Sequence, residues 1–244
     1  MTVVESIAGR LREVESRITE AGARAGRSPS EVTLVAVGKT WPVEVLLAGW
    51  EAGIRHLGEN RVQEAEAKIA AWPVEKPVTW HLIGHLQSNK ARTAASRFDW
   101  IHSIDSTRLV QALARGLSPD GSGTEPASMP PLGRLPILVE VNVAGEASKY
   151  GLTPDDVESV LVAIKDVPGL EVRGLMTVAP FVTDPEDVRP VFRALRELRD
   201  RLSERIPDRP LPDLSMGMSH DYEVAIAEGA TIVRVGRAIF GERA

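Results

Sequence analysis

Residues 32–60 read VTLVAVGKTWPVEVLLAGWEAGIRHLGEN. VTLVAVGK (32–39) is a β-branched apolar run and reads as a strand. PVEVLLAGWEAG (42–53) reads as a helix, opened by Pro42 at a first-turn position. IRHLGEN (54–60) is a short strand with a polar end. Strand, helix and strand in succession predict two parallel strands. The same stretch poses a chemical question. Lys39 closes an otherwise apolar strand, and an ammonium enclosed by apolar side chains is costly unless something uses it.

The alternation continues along the chain. RVQEAEAKIAAW (61–72), NKARTAASR (89–97), TRLVQALARGL (107–117), PDDVESVLVAIKDV (154–167) and SHDYEVAIAEG (219–229) read as helices. So does PEDVRPVFRALRELRDRLSERI (185–206), interrupted or restarted near Pro190. VTWHLIG (78–84), WIHSID (100–105), ILVEVNV (137–143), LEVRGLMTV (170–178), DLSMGM (213–218) and TIVRVGR (231–237) read as strands. SPDGSGTEPASMPPLGRLP (118–136) is rich in Pro, Gly and Ser and reads as a flexible surface loop. Eight strands alternating with helices in 244 residues predict one (β/α)8 TIM barrel over 1–244, with an open doubly wound sheet as the alternative. Ahead of it, Val3, Val4, Ile7, Leu11, Val14 and Ile18 repeat at helical spacing, an extra N-terminal helix covering one end or side of the barrel.

Composition narrows the function classes. A net charge of −5 argues against coating a polyanion, so neither nucleic acid nor a membrane is an expected partner, although a local phosphate site is compatible with it. The absence of cysteine excludes disulfides, thiolate catalysis and Cys-ligated zinc. Five scattered histidines show no metal-ligand spacing, and no metal is expected. The first residues carry no signal-peptide core, and no apolar run reaches the roughly 18 residues of a membrane span. A soluble, cytoplasmic protein is expected.

In such a barrel the chemistry sits at the carboxyl ends of the strands. Those ends hold Lys39; Glu59 and Asn60; His81; His102 and Ser103; Asn142; Met176 and Thr177; Ser215, Gly217 and Ser219; Arg234 and Gly236. One polar strand end is ordinary, because loops begin there; the whole set points to a ligand site. LSMGMS (214–219) runs into a helix and presents backbone N–H groups to an anion. VRVGR (233–237) follows the eighth strand in the same way, and the loops after strands seven and eight are frequent phosphate sites. A phosphate anchor facing Lys39 leaves three readings: pyridoxal 5'-phosphate held as a Schiff base, a Schiff-base aldolase acting on a sugar phosphate, and a lysine that merely grips a phosphate.

HLGENRVQE (56–64), WHLIGHLQSNK (80–90), VRGLMT (172–177), LSMGMSHDYEVAIAEG (214–229) and VRVGRAIFG (233–241), in this order, resemble the pyridoxal phosphate homeostasis protein family. That family's barrel is similar to the N-terminal domain of alanine racemase, the fold-type III class of pyridoxal phosphate proteins. The resemblance implies that Lys39 carries the Schiff base. It places Ser215, Gly217, Ser219, Gly236 and Arg237 at the phosphate, Arg234 at the pyridine nitrogen, and Asn60, His81, Asn142 and Met176 around the ring. The family usually has a serine before its lysine, where this chain has Gly38. Arg237 stands where relatives often carry a small hydroxyl residue.

Other residues take plainer readings. His85 is expected as a core or helix-cap histidine, Glu59 as structural, Tyr150 as part of the loop after strand five, and the five tryptophans as packing. Lys149 is a minor candidate for meeting a phosphate in transit. A racemase of the similar fold uses a tyrosine as second base and a further domain; this chain runs only to Ala244 and has two tyrosines, Tyr150 and Tyr222, neither an obvious base. A donor-only arginine at the pyridine nitrogen also weakens the ring as an electron sink. The expectation is a monomeric carrier that holds the cofactor and delivers it to apo-enzymes; an amino-acid racemase or lyase and a phosphosugar enzyme are the alternatives.

Overall fold

A computed structural model describes residues 2–117, 134–146, 149–164, 167, 169–208 and 210–242. The strands are β1 (Thr33–Val37), β2 (His56–Glu59), β3 (Thr79–Leu82), β4 (Trp100–Ile104), β5 (Leu135–Glu140), β6 (Leu170–Met176), β7 (Asp213–Met218) and β8 (Ile232–Val235). They form a closed parallel barrel in chain order, with β8 against β1 in the register Thr33↔Ile232 to Ala36↔Val235. The open sheet is thereby excluded. The helices are α1 (Val3–Arg24), α2 (Val43–Glu51), α3 (Val62–Ala70), α4 (Ala91–Arg97), α5 (Thr107–Leu117), α6 (Val157–Ile164), α7 (Arg189–Arg205), α8 (Tyr222–Ala227) and α9 (Arg237–Phe240). Among the described residues, no helix is long and apolar enough to cross a membrane.

Most of the apolar core lies between the barrel wall and the helices. β5, buried along its whole length, faces helices on one side and the barrel interior on the other, which is why LPILVE carries almost no polar alternation. A separate, smaller apolar cluster inside the barrel joins Val35, Leu138, Met176 and Ile232, with Trp100 and Val178 packed against it. α1 lies against α2, α8 and α9, so it covers a side of the barrel rather than an end. It buries Ile7, Leu11, Val14, Ile18 and Ala21, and its first turn is fixed by a capping box between Thr2 and Glu5.

Several element limits differ from the sequence reading, each for a local reason. Pro42 caps α2 with extended backbone instead of lying in its first turn. Residues 135 and 136 belong to β5, not to the 118–136 loop: Pro136, second in the strand, pairs with Glu171. Residues 118–133 of that loop lie outside the described residues. Pro190 lies in the first turn of α7, where its missing N–H breaks nothing, and a 3-10 turn over Pro185–Val188 precedes it. α8 starts at Tyr222 rather than 219, because Asp221 Oδ1 accepts from the Met218 N–H at 2.6 Å and holds the intervening residues in a turn. The last strand stops at Val235, and Gly236 caps α9, an element the sequence reading did not contain.

Candidate functional site

Lys39 lies two residues beyond β1, exposed at the rim of the mouth; it is not enclosed in an apolar pocket as the sequence reading supposed. The turn that carries it is held from outside the barrel. Lys68 of α3 donates from Nζ to the Gly38 carbonyl at 2.9 Å, to Glu59 Oε1 at 2.8 Å and to Glu64 Oε1 at 3.0 Å. Glu64 in turn accepts from the Thr40 N–H, and Thr40 has φ +65°. The peptide groups on both sides of Lys39 are therefore fixed by one buried ionic cluster. A Cβ at Gly38 would lie 2.8 Å from Leu46 Cδ2 and 2.9 Å from Glu59 Oε1, so the serine usual in the family would need both to move. Glu59 is structural, as expected: it faces Lys68, not the mouth. Its burial pushes the carboxyl up to about 7 against the pull of Lys68, and its Oε2 is buried without a hydrogen-bond partner among the described residues.

Strand alternation carries a polar line through the barrel interior. His56 Nδ1 is 3.0 Å from His81 Nε2, and His81 Nδ1 is 3.0 Å from His102 Nε2. His102 Nδ1 is 2.9 Å from Ser215 Oγ, which accepts from Arg234 Nη1 at 2.6 Å. Arg234 Nη2 donates to the Thr177 carbonyl at 2.8 Å. These nitrogens bond one another rather than converging on a point, and no metal-binding cluster is found among the described residues. Burial keeps His81 and His102 well below the usual histidine range, with His102 and His56 adding to this at His81 and Arg234 at His102. Burial lowers Arg234 to about 10, opposed by Glu140 and Asp221.

The other expected residues fall in three places. Met176 lines the interior beneath the mouth, and Asn60 is half-buried just past β2. Asn142 commits its amide to its own loop, donating to the Glu146 carbonyl at 2.8 Å and accepting from the Glu146 N–H at 3.2 Å. Ser215 and His81 lie in the polar line, their side-chain hydrogen bonds taken by Arg234, His102 and His56. Past β7 and β8, Ser219 Oγ accepts from the Gly236 N–H at 3.2 Å and from the Ala238 N–H at 3.5 Å, linking the two loops. Gly217 has φ +92°, and a Cβ there would lie 2.6 Å from Ala225 Cβ. Arg237 is exposed in the first turn of α9.

His85 is corrected: it is neither core nor cap but exposed, with Nδ1 3.3 Å from Asp105 Oδ2 and its ring stacked on Tyr150 at 3.8 Å. Sequence reasoning missed Glu140. It is 7% exposed, its Oε2 has no hydrogen-bond partner among the described residues, and burial with nearby Asp105 pushes it up to about 7. The signal was parity, since Leu138 lines the barrel and the residue two further on shares its face.

The family model for the alanine racemase N-terminal domain matches residues 10–244. The pyridoxal phosphate homeostasis protein of Aquifex aeolicus is 42% identical over 234 residues, 96% of this chain and 97% of that protein. The Vibrio cholerae protein of the same name is 41% identical over 243 residues, 98% of each chain. Among solved structures, PipY of Synechococcus elongatus with PLP bound superposes with a TM-score of 0.79 at 38% identity, over 96% of this chain and 100% of that one. D-threonine aldolase of Filomicrobium marinum, at 13% identity, shares the fold with a TM-score of 0.71, over 98% of this chain and 61% of that one.

Proposed function

The chain belongs to the pyridoxal phosphate homeostasis protein family, and on that premise we propose that it holds pyridoxal 5'-phosphate at the barrel mouth as a Schiff base on Lys39 and passes it to apo-enzymes. When bound, the cofactor supplies an aldehyde that condenses reversibly with a primary amine. The residues fit such a group. Glu140 offers a buried carboxyl oxygen without a hydrogen-bond partner among the described residues, suited to a hydroxyl or ammonium donor on a ligand. Gly217 leaves a cradle that a side chain would fill, and Gly236 and Ala238 hold N–H groups that an anion would share with Ser219.

Arg234 carries the reading. It is buried, held by Ser215 and Thr177, and a guanidinium donates hydrogen bonds without giving up its proton at neutral pH. Opposite the pyridine nitrogen it orients the ring and leaves it a weak electron sink. Lys39 supplies the amine, while Lys68, Glu59 and Glu64 fix its turn. Gly217, Ser219, Gly236 and the first turn carrying Arg237 take the phosphate, and Asn60 and Met176 flank the ring. All of these residues come from one barrel, so the working unit is taken as a monomer.

An absorption spectrum tests this. The parent protein with pyridoxal phosphate should show a visible band that Lys39→Ala lacks, and borohydride should fix the adduct on Lys39. A colourless parent would overturn the proposal. Glu140 favours a second reading, an amino-acid racemase or lyase, because a carboxyl near 7 suits acid–base work. Turnover of an amino acid that disappears in both Lys39→Ala and Glu140→Gln would select it.

A further inference from the structure

The line from Arg234 to His56 permits only one order of hydrogen-bond donors. Arginine cannot accept, so Arg234 Nη1 donates to Ser215 Oγ. The Ser215 hydroxyl must then place its own proton. If His102 Nδ1 were also a donor, two N–H groups would converge on Ser215 Oγ and that proton would need a third partner; among the described residues none is found. The proton therefore goes to His102 Nδ1. A neutral imidazole with one bare nitrogen is protonated on the other. His102 thus donates from Nε2 to His81 Nδ1, and His81 donates from Nε2 to His56 Nδ1. His56 is left with its proton on Nε2. Its ring belongs to a recess of about 260 Å³ lined by Leu11, Glu15, Thr33 and Arg55, among others.

We propose that Ser215, His102, His81 and His56 are positioning residues for Arg234: a one-way relay that holds three neutral histidines in a single tautomer and fixes the guanidinium toward the mouth. The order leaves no lone pair on any of the three rings outside the line, so none can take a proton without breaking a hydrogen bond. A buried arginine thus keeps uncharged imidazoles beside it. Its Nη1 and Nη2 each hold a fixed bond to the barrel, and its remaining N–H donors are held in one direction. The three imidazoles lie where barrel interiors ordinarily hold branched apolar side chains; Trp100 stacks on His81 and meets His102 edge-on.

The half of this that concerns the cofactor rests on the proposed pyridoxal phosphate site; the tautomers do not. They are read by nitrogen NMR of 15N-histidine-labelled full-length protein without cofactor, with the exposed rings identified by His85→Gln and His220→Gln. The expected result is three rings protonated at Nε2 and bare at Nδ1. A ring among these three carrying its proton on Nδ1, or averaging between the two forms, would overturn the relay. Loading with pyridoxal phosphate should leave the pattern unchanged. A switch of His102 to Nδ1–H on loading would show that the ligand's phosphate had taken the Ser215 proton, and would overturn it as well.

Affinity supplies the second readout. His102→Phe should weaken pyridoxal phosphate binding about tenfold, roughly one lost hydrogen bond. His102→Asn, whose side-chain oxygen can accept from Ser215, should recover most of that loss. Equal losses in both variants, with melting temperatures unchanged, would assign His102 to packing and reject a positioning role. A parent that shows the three tautomers yet binds no pyridoxal phosphate would reject the proposed function and leave the relay standing.

Discussion

Glu140 and Lys68 show how single buried charges tie this barrel to pH. Burial keeps Glu140 protonated up to about 7, whereas a glutamate in an unfolded chain ionises near about 4.3. Between those values the folded chain binds more protons than the unfolded one. The stability Glu140 contributes is therefore present below the lower value and lost as pH rises through about 7. Glu140→Gln should leave urea unfolding little changed at pH 4 and stabilise the protein by about 3–4 kcal/mol at pH 8. A loss of stability at pH 8 would show that the carboxylate has a partner after all. Lys68→Met should act in the opposite sense, leaving Glu59 and the Gly38 carbonyl without their cation. A cost of about 3–5 kcal/mol is expected at pH 8, smaller at pH 5 where Glu59 takes a proton, and mostly recovered in Glu59→Gln/Lys68→Met. If the double variant is no more stable than the single one, the pair does not act as a unit. The strand-end positions of Lys39, Arg234 and the glycines of the last two loops were legible in the sequence because they end apolar runs or sit in recognisable motifs. Glu140 and Lys68 were not: one needed the interior parity of β5, the other a contact between α3 and the backbone of a different loop.

The elements were easier to read than their ends. α5 matches the spacing-based helix residue for residue, because TRLVQALARGL is amphipathic throughout. Proline and glycine produced several of the discrepancies: Pro136 looked like loop, and Gly236 looked like the end of a strand when it opens α9. Two elements carry predictions. α1 docks through a stripe of buried residues that includes Leu11, 3% exposed. Leu11→Ala should cost about 2–5 kcal/mol in denaturant unfolding, and a change under 1 kcal/mol would mean that α1 is dispensable to the barrel. In the turn after β7, Gly217→Ala introduces a Cβ 2.6 Å from Ala225 into backbone with φ +92°. It should cost about 1–3 kcal/mol and weaken pyridoxal phosphate binding, followed by thermal melting and by titration of the absorption band. Unaltered binding would place the phosphate elsewhere.

At the scale of the whole molecule, one closed sheet joins every strand, and α1 runs alongside helices from both the early and the late part of the chain. Unfolding should therefore be cooperative. Tryptophan fluorescence reports only on the first half, where Trp41, Trp50, Trp72, Trp80 and Trp100 all lie, while circular dichroism reports on the whole. The two urea curves should coincide; separate midpoints would mean that the halves melt independently.

The pairing of β1 with β8 also has a consequence for biosynthesis. Thr33–Val37 leaves the ribosome early, yet one of its edges has no native neighbour until Ile232–Val235 have been translated. The strand leading to Lys39 thus waits, half-paired, until β8 has been made. Ribosome-bound chains stalled before Ile232 would carry the lysine without Arg234, Gly236 or a closed mouth around it. The site cannot assemble before β8 is made, and a nascent or truncated chain lacking β8 lacks it.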